Sequence, residues 1–336
     1  MSGFRKTYLP LVLFAALLAI APEAISKDYY LKILTLCCVH AVIVAGLTML
    51  LGFAGQISLG HAAFYGLAAY ATARVTVVHG LPMEAGLGIA ILLAVVVAVL
   101  IGIPSLRLTG HYLAMATLGF GVIVYLVFKG AMEFTGGPTG FTLIGRIPRL
   151  ELFGYSFTSE ISYYYLVAGV LLAVLLLCLN IINSRTGRAL RALHTSENAA
   201  QTAGVDIARY KLFVFVLSAV FAAIAGFLYA HWHTHVSPSS FNFMVSVKFV
   251  TMVVLGGMTS IWGAVVGAFF LTILPYFLQE FEHFHDVEII IIGLILIISM
   301  MFMPEGIVGA VDKGRRFVLQ LLRRSKGASS EEPSHD

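Results

Sequence analysis

Ala85-Gly-Leu-Gly-Ile-Ala-Ile-Leu-Leu-Ala-Val-Val-Val-Ala-Val-Leu-Ile-Gly-Ile103 contains neither a charged nor a polar side chain. As a helix, rising about 1.5 Å per residue, it is long enough to cross a hydrocarbon core about 30 Å thick. A strand of a membrane barrel would instead alternate apolar and polar over about ten residues. The rest of the chain agrees. Of its 336 residues 59% are hydrophobic and 11% are Asp, Glu, Lys or Arg, against about 25% charged in ordinary soluble domains. With a mean hydropathy of +0.93 there is too little polar coat for a cytosolic enzyme or a secreted domain. In lipid the backbone must satisfy its own hydrogen bonds, which for these continuous runs means helices. The expected class is an all-α polytopic membrane protein.

Ten apolar runs of suitable length follow: 8–25, 31–51, 57–78, 84–104, 111–128, 160–182, 211–231, 243–258, 261–279 and 286–303. The first, preceded by Arg5 and Lys6 and ending in Ala19-Ile-Ala21, has the outline of a cleavable signal peptide. A retained helix is the expectation, because a multispanning chain needs no separate export signal. The region 243–279 reads as two short helices or one long broken one, since Gly256, Gly257 and Gly263 interrupt it.

Basic residues gather in 183–211 (Arg185, Arg188, Arg191, Arg209, Lys211) and in the tail (Lys313, Arg315, Arg316, Arg323, Arg324, Lys326). Arg107 lies between the fourth and fifth runs, while 280–288 holds four acids and no Lys or Arg. The positive-inside rule then sets both termini and 183–210 in the cytoplasm and the acidic loop outside, as an even number of spans requires. The expected organisation is one transmembrane domain over 1–310, with a cytoplasmic loop at 183–210, and a basic, flexible tail over 311–336. No stretch outside the membrane can hold a nucleotide-binding domain, and no GxxxxGK[ST] phosphate loop occurs, so ATP-derived energy would come from another chain.

Four stretches carry further information. In Leu51-Gly-Phe-Ala-Gly-Gln-Ile-Ser-Leu-Gly-His-Ala-Ala-Phe-Tyr-Gly-Leu-Ala-Ala-Tyr70, the polar Gln56, Ser58 and His61 stand at membrane depth among small residues. Such residues allow close helix packing, and also a helix break whose polar groups line a path; both readings stand. In Arg185–Gly204, Ser196 is placed to cap a short helix with Glu197 in its first turn and Gly204 at its end; the residues alone favour a solvated loop over a docking knob. Thr135-Gly-Gly-Pro-Thr-Gly140 prescribes turns. His231-Trp-His-Thr-His235, without nearby carboxylates or cysteines, suits a membrane boundary better than a metal site, and His283 and His285 near Glu282 and Asp286 change this little.

No catalytic constellation emerges. Ser58 lacks the GxSxG setting of a nucleophile elbow, Gln56 standing two residues before it. Acids are nearly absent from the apolar runs, which disfavours a proton relay. Arg74 and Lys248 fall near run ends, where long basic side chains snorkel. Cys37, Cys38 and Cys178 have no spacing for zinc or disulfides and read as small buried hydrophobes. Neither enzymatic activity, nor a cofactor, nor a metal is expected.

Several of these segments resemble the permease subunits of branched-chain amino-acid ABC importers. They are Gly52-Phe-Ala-Gly-Gln-Ile-Ser-Leu-Gly-His-Ala-Ala-Phe64, Leu106-Arg-Leu-Thr-Gly-His-Tyr-Leu-Ala-Met-Ala-Thr-Leu-Gly-Phe-Gly121, Thr135–Gly140, Val254-Leu-Gly-Gly-Met-Thr-Ser-Ile-Trp-Gly-Ala-Val-Val-Gly-Ala268 and Met303-Pro-Glu-Gly-Ile307. The resemblance covers about 31–309 and is nearer the leucine/isoleucine/valine M-type subunit than its H-type partner. Glu197-Asn-Ala-Ala-Gln-Thr-Ala-Gly204 is similar to the family's EAA motif, with Asn198 departing from it. The resemblance implies a type II importer permease fold and a docking helix carried by Glu197, Ala199, Ala200 and Gly204. It also implies a second, dissimilar permease, two ATPase subunits and an external (periplasmic) substrate-binding protein in the bacterial inner membrane. Leucine, isoleucine, valine or other neutral amino acids would be the substrate. Urea importers use related permeases, so urea or a short amide is the alternative. From other classes, an ion-coupled secondary transporter would need intramembrane ion ligands, and an intramembrane enzyme a nucleophile and base.

Overall fold

A computed structural model describes residues 2–24, 27–77, 79–105, 110–142, 151–152, 155–157, 159–233 and 235–279, then 290, 291, 293–295, 297, 301, 306, 307 and 309. The described architecture is helical apart from four two-residue strands. The helices are α1 (Ser2–Ala24), α2 (Asp28–Thr48, continued by a π-helical turn Met49–Phe53), α3 (His61–Val77), α4 (Met83–Ser105), α5 (His111–Gly130) and α6 (Met132–Thr135). After them come α7 (Glu160–Asn183), α8 (Arg185–Thr195), α9 (Glu197–Thr202), α10 (Ile207–Trp232), α11 (Phe243–Gly256) and α12 (Ile261–Gln279).

Contacts set the helix directions. Tyr8 near the start of α1 donates to Asn180 near the end of α7, at 2.6 Å, whereas Tyr164 and Tyr165 donate to the carbonyls of Leu18 and Ala19. The two helices are therefore antiparallel. Lys32 of α2 lies 3.5 Å from Glu160 at the start of α7, and the Trp232 indole at the end of α10 donates to the same carboxylate at 3.3 Å. One end of the bundle thus carries Lys32, Glu160 and Trp232. The other, basic end carries α8 and α9. α2 runs toward the basic end and α10 away from it, and α2 and α10 form much of the buried centre.

Two stretches of non-helical backbone turn back into this bundle from opposite ends. From the basic end, residues 55–60 lead into α3, which starts only at His61, beside Ser218 of α10. From the other end the chain turns at His233, pairs Val236 with Phe141 in a short antiparallel ladder, and passes through a 3₁₀ turn at Pro238–Phe241. Phe241 inserts among Tyr65, Tyr70, Phe128 and Tyr229, with ring centroids 5.1–6.3 Å away. Asn242 then caps α11, its Oδ1 accepting from Val245 N at 3.1 Å. The two stretches meet where Ala62 N donates to Ser246 Oγ at 2.9 Å.

Glycines permit the closest approaches. A Cβ on Gly256 would stand 1.9 Å from the Gly263 carbonyl, and one on Gly267 2.0 Å from that of Met252. The register of these two contacts makes α11 and α12 an antiparallel hairpin. The region 243–279 is thus two helices, not one. With 14 residues, α11 is about 21 Å long, less than the ~30 Å of a hydrocarbon core.

The expected tally of ten spans meets a smaller number. Six helices among the described residues are long and apolar enough to cross a membrane: 28–53, Met83–Ser105, His111–Gly130, Glu160–Asn183, Ile207–Trp232 and Ile261–Leu278. Two shorter apolar helices, Tyr8–Glu23 and Phe243–Gly256, occupy the expected first and eighth positions. The third expected run, 57–78, loses its first residues to the break before His61. Run 286–303, loop 280–288 and the tail 311–336 lie wholly or largely outside the described residues.

Candidate functional site at a broken helix

The break is built by residues that cannot continue a helix and by partners that receive what the helix gives up. Gly55 adopts a φ of +67°, which favours glycine, and ends the π-helical turn. Gly52 packs against the backbone of Met258, where a Cβ would stand 1.6 Å from the carbonyl oxygen. Gln56 N donates back to Leu50 O at 3.0 Å, and Leu59 N donates to Thr117 Oγ1 of α5 at 3.0 Å.

Its side chains form one buried network. Ser58 Oγ lies 3.1 Å from His61 Nδ1, and His61 Nε2 lies 3.0 Å from Ser218 Oγ. Ser218 already donates its hydroxyl proton to Phe215 O, so it accepts from the imidazole. The neutral ring then carries its proton on Nε2 and accepts from Ser58 at Nδ1. Gln56, Ser58 and His61 are 6%, 1% and 1% exposed, so all three are enclosed by protein rather than turned to the outer surface. The Gln56 Oε1 acceptor is buried without a hydrogen-bond partner among the described residues. Such an atom is costly unless something comes to fill it, by about 1–3 kcal/mol.

Gln56, Ser58 and His61 stand out in the sequence, and the partners of the break, Thr117, Ser218 and Ser246, do not. Thr117, Ser218 and Ser246 are small hydroxyl residues in largely apolar helices, where a Ser or Thr more often bonds its own helix. The signal for Thr117 and Ser218 is that each stands isolated among apolar neighbours, while Ser246, with Lys248 and Thr251 close by, lacks even that.

At the basic end, Ser184 caps α8 and Ser196 caps α9, the latter accepting from Ala199 N at 3.3 Å. Gly204 closes the turn at φ +82° with open space around its α-carbon. Leu190, Leu193 and Ala200 are buried, while Arg185, Arg188, Arg191, Asn198 and Gln201 face outward. Glu197 Oε1 lies 2.6 Å from Lys211 Nζ of α10, beside a hollow of about 390 Å³ also lined by Gln201, Val205 and Asp206. This unit touches the break directly: a Cβ on Gly55 would lie 3.1 Å from His194 Nδ1.

The remaining features have local roles. Thr135 Oγ1 donates to Phe128 O, and Gly136, Gly137 and Gly140 all have positive φ, so 135–140 is a turn. It packs on the inward-turning stretch, a Cβ on Gly140 standing 2.3 Å from Val236 O. His231 Nδ1 bonds the Phe227 carbonyl, and no metal-binding cluster of His, Cys, Asp or Glu occurs among the described residues. His233, just beyond α10, is held below its ordinary pKa by burial and by His235 and Lys32 nearby. Arg74 donates to the Glu133 carbonyl and lies over the Phe134 ring, joining α3 to α6. The three cysteines are free and buried.

The sequence profile described as "Branched-chain amino acid transport system / permease component" matches residues 29–300. This chain belongs to that family. It is 33% identical over 325 residues to the high-affinity branched-chain amino acid transport system permease protein LivM of Escherichia coli (strain K12), covering 90% of this chain and 75% of the relative. The LivH permease of the same system name and organism is 27% identical over 82% of this chain and 92% of its own length. A probable LivM of Methanocaldococcus jannaschii is 23% identical over 71% of this chain and 74% of the relative. No solved structure matches. The apolar helices and this membership together make the chain a multi-pass membrane permease.

Proposed function

We propose that this permease is one half of the translocation path of an ATP-driven ABC importer for branched-chain or other neutral amino acids. A second, dissimilar permease supplies the other half, two ATPase subunits dock on α8 and α9, and an external binding protein delivers substrate. The chain itself hydrolyses nothing. It has the ten-helix type II arrangement and sits in a bacterial inner membrane with both termini in the cytoplasm.

The observation that carries this reading is the seat of α8 and α9 against the break: His194 abuts Gly55, and Glu197 pairs with a lysine of the helix that holds His61 through Ser218. A force applied at that end has a short, packed route to the non-helical backbone at 55–60. The unfilled Gln56 Oε1 supports a polar path beside it, and an ammonium group has the donors to fill it.

The test is uptake by cells expressing this chain with its partner permease, ATPases and binding protein. Leucine uptake that requires both ATP and the ATPase subunits is expected. Uptake of urea instead would move the substrate class, and ion-driven uptake without ATPases would overturn the importer.

Orientation has its own measurement. A cysteine replacing the exposed Tyr29 should react with an impermeant thiol reagent from outside intact cells, and one replacing Asn198 only after lysis. The native cysteines, being buried, give little background. The reverse pattern would invert the topology.

A further inference from the structure

Glu197 stands where a docking helix would offer its carboxylate to a partner, yet it already has one. Its Oε1 is 2.6 Å from Lys211 Nζ, and the Lys211 side chain is only 6% exposed. A lysine near a membrane boundary ordinarily buries its stem and keeps its ammonium in water. Here the ammonium end is covered too, and a covered charge is stable only while its counter-ion stays.

Lys211 also stands in a telling place. It precedes Ser218 by two helical turns, so both lie on one face of α10, and Ser218 holds the His61 ring. The docking unit therefore reaches the break from two sides, through His194 on Gly55 and through Lys211 on α10. The surface left for a partner includes the exposed Asn198, Gln201 and Thr202, beside the half-exposed Glu197.

We propose that Glu197 acts within its own chain, tethering α9 to α10 through Lys211, and that Lys211 is a positioning residue that makes movement of the docking helix a movement of the broken-helix site. The proposal rests on the importer reading above. It separates the two jobs of the motif: the outer residues seat the ATPase, and the acid holds the helix to the permease.

The experiment uses the assembled complex carrying Glu197→Lys, Lys211→Glu, both together, or Lys211→Met. Three quantities are read: ATPase subunits co-purified, substrate-stimulated over basal ATP hydrolysis, and uptake. Each single variant should keep its ATPases but lose stimulation roughly tenfold, within the range of coupling effects between sites. The reversed pair should recover stimulation to within about twofold, since it restores the attraction between the same two positions. A purely structural role would show as lost assembly without this rescue. If the reversed pair is no better than Glu197→Lys alone while Lys211→Met is normal, the carboxylate is addressed to the ATPase: the tether fails and the importer reading stands. If all four variants couple normally, the tether fails and the importer reading stands, whereas uptake by the unmodified complex that needs no ATPase subunits would remove the importer reading itself. Should Lys211→Met not reach the membrane, Glu197→Gln on the exposed side of the pair replaces it, with the same loss expected and normal stimulation overturning the proposal.

Discussion

His61→Leu is expected to cut substrate uptake by roughly tenfold or more, which corresponds to about 1.4 kcal/mol or more of lost stabilisation along the path. Leucine is close to histidine in bulk, so the cavity stays filled, but both cross-links through the ring disappear. Ser218 keeps its bond to Phe215 O, whereas Ser58 loses the imidazole it bonds, at about 1–3 kcal/mol for a buried orphan. Ser58→Ala removes that orphan and should fail in the same direction by a smaller factor. Uptake by purified, reconstituted complex measures the effect, with yield of assembled complex as the control. If His61→Leu transports normally at normal yield, the polar cluster is a packing device and not part of the path. Gln56→Leu tests the other flank: it removes the unfilled acceptor, so the fold should tolerate it while uptake falls.

Gly226→Ala is expected to be damaging far beyond the size of one methyl group. The new Cβ would stand 2.3 Å from the Tyr65 carbonyl and 2.9 Å from the Ala68 side chain. Both belong to α3, so α3 and α10 must separate, and overpacking of this kind costs about 3 kcal/mol or more. The separation also pulls His61 from Ser218, so function should fall along with stability. Thermal unfolding of the detergent-solubilised protein, followed by size-exclusion, reads the first effect. Gly88→Ala, with nothing within 4 Å of its Cβ, is the matched control on α4. Equal stability of the two variants would mean the α3–α10 approach is looser than described.

What could be read ahead depended on whether the information was local. Long apolar runs announce helices one by one, and the 84–104 run emerged within a residue of α4 at either end. The density of Gly, Gln, Ser and His around 52–61 marked a special place, and a break stands there. Its exact form did not follow, because it is stabilised by Thr117, Ser218 and Ser246, which lie 58, 157 and 184 residues from Leu59, His61 and Ala62 respectively. Likewise Ser196 signalled the cap of α9, but Lys211 was legible only as one more positive charge in a loop. Hydropathy began α3 four residues early, at 57 rather than His61, since it measures how apolar a stretch is and not where a helix begins, while the run at 243–258 begins where α11 does. α3 starts inside the bundle because α5 and α11 supply the hydrogen-bond partners that lipid would not, whereas α11 is capped by Asn242 just before it.

The bond from Ala62 N to Ser246 Oγ has a consequence for how this protein is made. A ribosome builds the chain from its N-terminus, so the first turn of α3 leaves it long before the serine that receives its amide exists. For most of synthesis, polar backbone beside Gly60 and His61 must be sheltered by water, by the insertion machinery or by non-native neighbours. α11 arrives late and is too short to be inserted on its own merit, so it enters as the first arm of a hairpin with α12. The centre of the permease is therefore completed only once α11 has been made, and nascent chains stopped before residue 243 should be recognised as unfinished by membrane quality control.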